Sequence, residues 1–211
     1  MTYFLSFFKQ IKCTWQSFAV PLFIAIVALL AFTVDSLLSE YFVYQRQLIS
    51  QGEVWRLLSG HFFHTNGYHL LLNIMALLLL SLLHSKFYTI KRYSLLFLFC
   101  AVFCSLALYL FEPSLIQYVG LSGVLHGVFA WGALMDVRHG DKTGYLLLSG
   151  VMVKILHEQY YGANNELSEL INASVAINAH LWGAIAGLIF FILYPVLFST
   201  TKLSTPSSQL K

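Results

Sequence analysis

Charge is what this sequence lacks. Only 10% of its 211 residues are Asp, Glu, Lys or Arg, whereas 58% are apolar. A water-soluble domain of this length needs far more charge to cover its surface. The composition therefore excludes an ordinary soluble enzyme and fits a chain whose outer surface meets lipid. Cysteine is scarce as well, with Cys13, Cys100 and Cys104 as the three in the chain. They form no CxxC pair and no Cys/His cluster, so neither a zinc site nor a disulfide framework is expected. Cys100 and Cys104, four apart in an apolar run, read as packing residues. There is no internal repeat and no sign of a second domain.

Long apolar runs are abundant. A membrane crossing needs about 20 apolar residues, and six runs are candidates: 18–38, 67–85, 93–112, 121–137, 143–160 and 174–198. The expected fold is an all-α membrane protein, a six-transmembrane-helix bundle over residues 18–198. Phe4, Leu5, Phe8, Ile11 and Trp15 recur at helical spacing, so residues 1–17 are expected to lie on the membrane as an amphipathic segment. Lys9 and Lys12 followed by an apolar run resemble a signal peptide, but the run is too long and no small-x-small cleavage site follows. A retained anchor is the better reading. The Ser/Thr-rich residues 199–211, with Pro206, are expected to form a disordered tail. The fourth run is short and the fifth carries Lys154, which suits helices inside a bundle.

Basic residues orient membrane proteins, because Lys and Arg accumulate on the cytoplasmic side. With the N-terminus inside, the inner segments hold Lys9, Lys12, Lys86, Lys91, Arg92, Arg138, Lys142, Lys202 and Lys211, and the outer ones only Arg46 and Arg56. Both termini are therefore expected in the cytoplasm. The segment 39–66 becomes a long external loop that dips along the interface.

Four polar residues within the runs call for a reason: His69, Asn73, Ser122 and His180. His69 and Asn73 share a helix face, four apart. Ser122 opens the fourth run and His180 lies about two turns into the sixth. In the expected orientation all four lie in the outer half of the bilayer. Gly123 and Gly127, and Gly183 and Gly187, form small-xxx-small pairs that let two helices approach closely. Such an approach would bring His180 to Ser122. A serine hydroxyl becomes a nucleophile when a base takes its proton, and imidazole suits that task at neutral pH. Asn73, His69 and a backbone N–H near Ser122 could stabilise the resulting oxyanion. No acid stands out beside His180, so a Ser-His dyad is expected rather than a triad.

These residues carry a resemblance. Gly120-Leu121-Ser122-Gly123 resembles the GxSG motif of the rhomboid proteases. His69-Leu-Leu-Leu-Asn73 is similar to their HxxxN, and Ala179-His180-Leu-Trp-Gly183-Ala-Ile-Ala-Gly187 to their AHxxGxxxG. Trp55-Arg56 looks like the Trp-Arg pair of their first external loop. The likeness covers about residues 50–195. It implies an intramembrane serine protease, with Ser122 as nucleophile, His180 as base, and His69, Asn73 and the Gly120 segment at the oxyanion. It implies membrane-anchored protein substrates within the lipid bilayer, no cofactor and no nucleic-acid partner. The runs Gly52 to Phe62 and Gly120 to Gly127 are further similar to the rhombosortases of Gram-negative bacteria. Those are associated with exported proteins that end in Gly-Gly, a hydrophobic helix and basic residues. The resemblance thus implies a bacterial inner-membrane enzyme whose site opens to the periplasm.

Other patterns admit plainer readings. His61, His64 and His69 are close in sequence but have no acidic or cysteine partner at ligand spacing. His126 is expected to pack or hydrogen-bond one turn below Ser122. Lys154 and Glu158 form an i,i+4 pair, read as structural or as a contact for substrate. Asn172-Ala173-Ser174 fits a glycosylation sequon of the sort that arises by chance. A catalytically inactive relative that binds membrane clients is the alternative function. A transporter would want midplane charges and a repeat.

Overall fold

The computed structural model describes residues 14–198. The expected tail, and all but the last four residues of the expected amphipathic segment, lie outside the described residues.

The chain is mostly helical, and six of its helices are long: α1 (Trp15–Thr33), α5 (Gly67–Leu83), α6 (Ile90–Phe111), α7 (Ser122–Arg138), α8 (Thr143–Tyr161) and α10 (Ile177–Phe198). Between them lie the short helices α2 (Asp35–Phe42), α3 (Arg46–Ser50), α4 (Arg56–Ser59) and α9 (Asn165–Ile171). Asn66 and Thr89 cap α5 and α6 through their side chains, each accepting from a backbone N–H in the first turn.

Three of these helices, α1, α6 and α10, are long and apolar enough to cross a membrane, and α5 joins them if the bent segment before it is counted. The other expected crossings fall short for a physical reason. α7 has 17 residues, most of them buried. It stands at the centre, packed against α5, α6, α8 and α10. A helix sheathed by others needs no lipid-facing apolar band. α8 carries Lys154 and Glu158 in its second half.

The first apolar run corrects an expectation. It does not continue unbroken to residue 38, because α1 stops at Thr33. The Thr33 hydroxyl turns back to the Leu30 carbonyl at 2.7 Å, and the Val34 N–H reaches the same oxygen. The chain restarts as α2 with Asp35 in its first turn, where a carboxylate favours the positive end of the helix dipole.

One short ribbon accompanies the helices. β1 (Tyr44–Gln45) pairs antiparallel with β2 (Gln117–Tyr118), Tyr44 opposite Tyr118. This two-residue ribbon ties the segment 39–66 to the strand just before Gly120. Arg56 fastens the same segment from within. Its side chain is 2% exposed and donates to the carbonyls of Val43 and Glu40, each at 2.8 Å, and to Glu53 at 2.6 Å. Trp55 donates to the Tyr41 carbonyl at 3.0 Å.

Candidate active site

The glycines decide how α7 meets α10. A methyl group on Gly183 would overlap the carbonyl oxygen of Gly123, and one on Gly187 that of Gly127. The two small-residue stripes therefore meet residue for residue, and only hydrogen at these positions permits it. His180 lies one turn before Gly183 on the same face, and Ser122 is next to Gly123. Their side chains meet, with His180 Nε2 3.0 Å from Ser122 Oγ.

The segment before Ser122 is shaped by Gly120. Its φ of +109° is disfavoured for residues with a side chain, and a Cβ there would lie 2.7 Å from His69 Nε2. The Gly120 carbonyl accepts from the Tyr118 hydroxyl at 3.0 Å, and His61 Nδ1 lies 3.3 Å away. The His61 ring, fully buried, also reaches Ser105 Oγ at 2.9 Å. His61 is thus a brace between the external segment and the glycine turn.

His69 is fixed from the other side. The Thr65 hydroxyl lies 2.5 Å from the Ile171 carbonyl, a separation that requires its proton to be there. Thr65 Oγ1, 3.0 Å from His69 Nδ1, is then left to accept from that ring nitrogen. The Thr65 backbone N–H, at 3.5 Å from the same nitrogen, is too long to compete. A neutral His69 therefore presents the lone pair of Nε2 toward Gly120. Asn73 donates one amide proton to the His69 carbonyl at 2.9 Å, leaving its other N–H uncommitted.

A cleft of about 1130 Å³ opens onto Ser122 and His69. Its walls come from α2, the residues after α6 and the segment 171–178, among them Ser39, Glu40, Glu112 and Ala176. A model of the Rhomboid domain family matches residues 51–196. The chain belongs to the rhomboid family. It is 28% identical over 143 residues to "Rhomboid protease GluP" of Bacillus subtilis (strain 168), covering 68% of this chain but 26% of that protein. It therefore spans about a quarter of GluP. It is also 26% identical over 145 residues to "Putative rhomboid protease YdcA" of the same organism, 69% of each chain. Family and apolar helices together make this a multi-pass membrane protein.

In this rhomboid the residues singled out from sequence come together from three helices. His126 stacks on the His180 ring with centroids 4.1 Å apart, and its Nδ1 lies 2.7 Å from the Ser122 carbonyl. One expectation is corrected. A carboxylate does stand beside His180, for Glu158 Oε2 is 2.8 Å from His180 Nδ1. The sequence leaves the Lys154–Glu158 pair as a structural pair or a contact for substrate. Lys154 Nζ is indeed 2.6 Å from Glu158 Oε1, but the pair faces α10. The available signal was depth: α8 runs toward the same end at which α7 and α10 begin, so Glu158 shares the level of Ser122 and His180.

Proposed function

We propose that this rhomboid is an intramembrane serine endopeptidase that uses Ser122 as nucleophile and His180 as general base. The observation that carries the reading is the 3.0 Å separation of Ser122 Oγ and His180 Nε2 at the edge of an open cleft. As Oγ attacks a peptide carbonyl, its proton passes to Nε2 and the carbonyl oxygen becomes an oxyanion. The free amide N–H of Asn73 and backbone N–H groups after Gly120 are assigned to that charge. His69, whose Nε2 lacks a proton in the neutral ring, holds the glycine turn and donates only when protonated. The imidazolium then protonates the leaving amine, and water repeats the sequence to release the acyl-enzyme.

The reading extends to six membrane crossings, with both termini in the cytoplasm and the cleft on the outer face of a bacterial inner membrane. Its support is the bias of Lys and Arg between segments. Substrates are membrane-anchored proteins, entering sideways between α5 and α8. A helix satisfies its own backbone hydrogen bonds and resists cleavage while it does. Glycine weakens a helix by about 1 kcal/mol per residue relative to alanine and brings no side chain into the cleft. This physics, with the rhombosortase-like motifs, supports removal of C-terminal tails made of Gly-Gly, a hydrophobic helix and basic residues, which would free exported proteins from the membrane.

The test uses a tailed reporter with wild-type enzyme, Ser122→Ala and His180→Ala, mapping the new C-terminus by mass spectrometry. A fluorophosphonate should label the wild type and neither variant. Equal cleavage by Ser122→Ala would remove the protease reading and favour an inactive client binder. Cleavage that is indifferent to Gly-Gly→Leu-Leu in the reporter would remove only the sorting role.

A further inference from the structure

The ring of His180 is engaged at both nitrogens. Nε2 faces Ser122 Oγ at 3.0 Å, and Nδ1 faces Glu158 Oε2 at 2.8 Å. An ionised carboxylate only accepts hydrogen bonds. The nitrogen beside it must carry the ring proton, which leaves the Nε2 lone pair directed at the serine hydroxyl. That is the tautomer a general base needs. His126 stacks on the ring at 19° between planes and so fixes its orientation, but stacking selects no tautomer. The side chains of His180 and Glu158 are 5% and 12% exposed, so their contact is sheltered from solvent.

Lys154 completes the arrangement. Its ammonium holds Glu158 Oε1 at 2.6 Å, which leaves Oε2 for the histidine. It also lies 3.4 Å from His180 Nδ1. A bond from the ammonium to that nitrogen would force the ring proton onto Nε2, the wrong tautomer. The shorter contact to the carboxylate decides against it.

We propose that Glu158 is the positioning carboxylate of a Ser122–His180–Glu158 triad, with Lys154 orienting it. This rests on the assignment of Ser122 and His180 above. In acylation, the Ser122 Oγ–carbon bond forms and the carbonyl π pair moves to oxygen. The hydroxyl proton moves to Nε2, and the Nδ1 proton stays where it is, shared with a carboxylate that remains ionised. When the carbon–nitrogen bond breaks, the Nε2 proton leaves with the amine. Glu158 thus acts through His180, selecting its tautomer and stabilising the imidazolium.

His126, Glu158 and His180 could alternatively hold a metal ion, since one ligand atom from each lies within 4.8 Å of the others. The contacts already made favour the triad: both Glu158 oxygens have partners, and His126 Nδ1 is at the Ser122 carbonyl.

The experiment measures kcat and KM in proteoliposomes with a helical-tail reporter, alongside thermal unfolding. Glu158→Gln keeps the shape, but its amide can donate to Nδ1 and stabilise the wrong tautomer. Turnover should fall at least about 100-fold, short of the roughly 10,000-fold seen when an orienting aspartate of a triad becomes asparagine. KM should stay within about threefold. Glu158→Asp, which keeps the charge, should recover at least about tenfold of that loss. Wild-type turnover in Glu158→Gln, or an aspartate variant no better than the glutamine one, overturns the triad. If Glu158→Gln does not fold, Glu158→Asp and Lys154→Met carry the test: each should lower kcat at unchanged KM, and wild-type kcat in both overturns it. Loss of turnover in EDTA that zinc restores assigns the cluster to a metal instead. Activity in Ser122→Ala would defeat the underlying assignment, whereas an inactive Ser122→Ala beside a fully active Glu158→Gln defeats the triad alone.

Discussion

Asn73 donates one amide proton to the His69 carbonyl one turn earlier, at 2.9 Å, and is 5% exposed. Its second N–H has no partner among the described residues, which suits the proposed role of meeting charge that appears only in the transition state. Asn73→Ala should therefore lower kcat by about 100- to 1,000-fold, as loss of one oxyanion donor does, and leave KM nearly unchanged. A steady-state series in which only KM moves would contradict the assignment. Gly120→Ala tests the same pocket through the backbone. The methyl must be placed at φ +109° and 2.7 Å from His69 Nε2, so the turn must change. Serine-probe labelling of Gly120→Ala should be lost even where the protein still folds. Ser122, His180, His69 and Asn73 were legible because a polar group in an apolar run demands a reason. Glu158 was visible as a charged residue, but its partner was not. Which face of α8 turns toward α10 depends on packing, and i,i+4 spacing to Lys154 supplied a sufficient local explanation. Thr65 carried no signal, since an exposed threonine before a helix is ordinary.

At the scale of elements, the register of α7 on α10 is set by four glycines. Gly183→Ala adds one methyl where the Gly123 carbonyl stands. The helices must part, and overpacking of this kind costs about 1–3 kcal/mol. The larger consequence is geometric, because His180 and Ser122 are held at 3.0 Å only by this approach. Gly183→Ala should lower the thermal midpoint modestly and activity steeply, whereas Leu188→Ala, on an exposed position of the same helix, should alter neither. Equal loss of activity in both would remove the special role of the glycine stripe. The long helices were readable from apolar runs of crossing length. The break at Val34, the bend before α5 and the β1–β2 ribbon were not. The ribbon is two residues per strand, and its reason lies across the chain, where Tyr44 meets Tyr118. Trp55 and Arg56 stood out as a motif, but their bonds to Tyr41, Val43 and Glu40 could be known only from the fold.

The whole molecule is polarised end to end. Ser122, His180, Glu158 and the cleft lie at one end. At the other, Lys86 bridges Asp136 at 2.8 Å and Asp141 at 3.3 Å, and His84 lies 3.3 Å from Asp136. Arg92 and Arg138 flank the same end, over the rings of Tyr194 and Phe198 or Phe191. Basic residues near helix ends set orientation when they cluster within short connections, and the connections at 84–89 and 139–142 are short. The two ends should therefore face opposite compartments, the basic one the cytoplasm. In a background with Cys13, Cys100 and Cys104 replaced, single cysteines at Ser50 and Gln51 should react with an impermeant maleimide on intact spheroplasts. Cysteines at Lys86 and Lys142 should react only after permeabilisation. The pairs bracket the bundle, so the result does not depend on where any one helix end meets the headgroups. The reverse pattern would turn the cleft to the cytoplasm, and no exported protein could then present its tail to Ser122 from the outer face. Labelling of all four positions on intact cells would mean that the basic end is not enclosed, and that α7 and α8 do not carry the chain across.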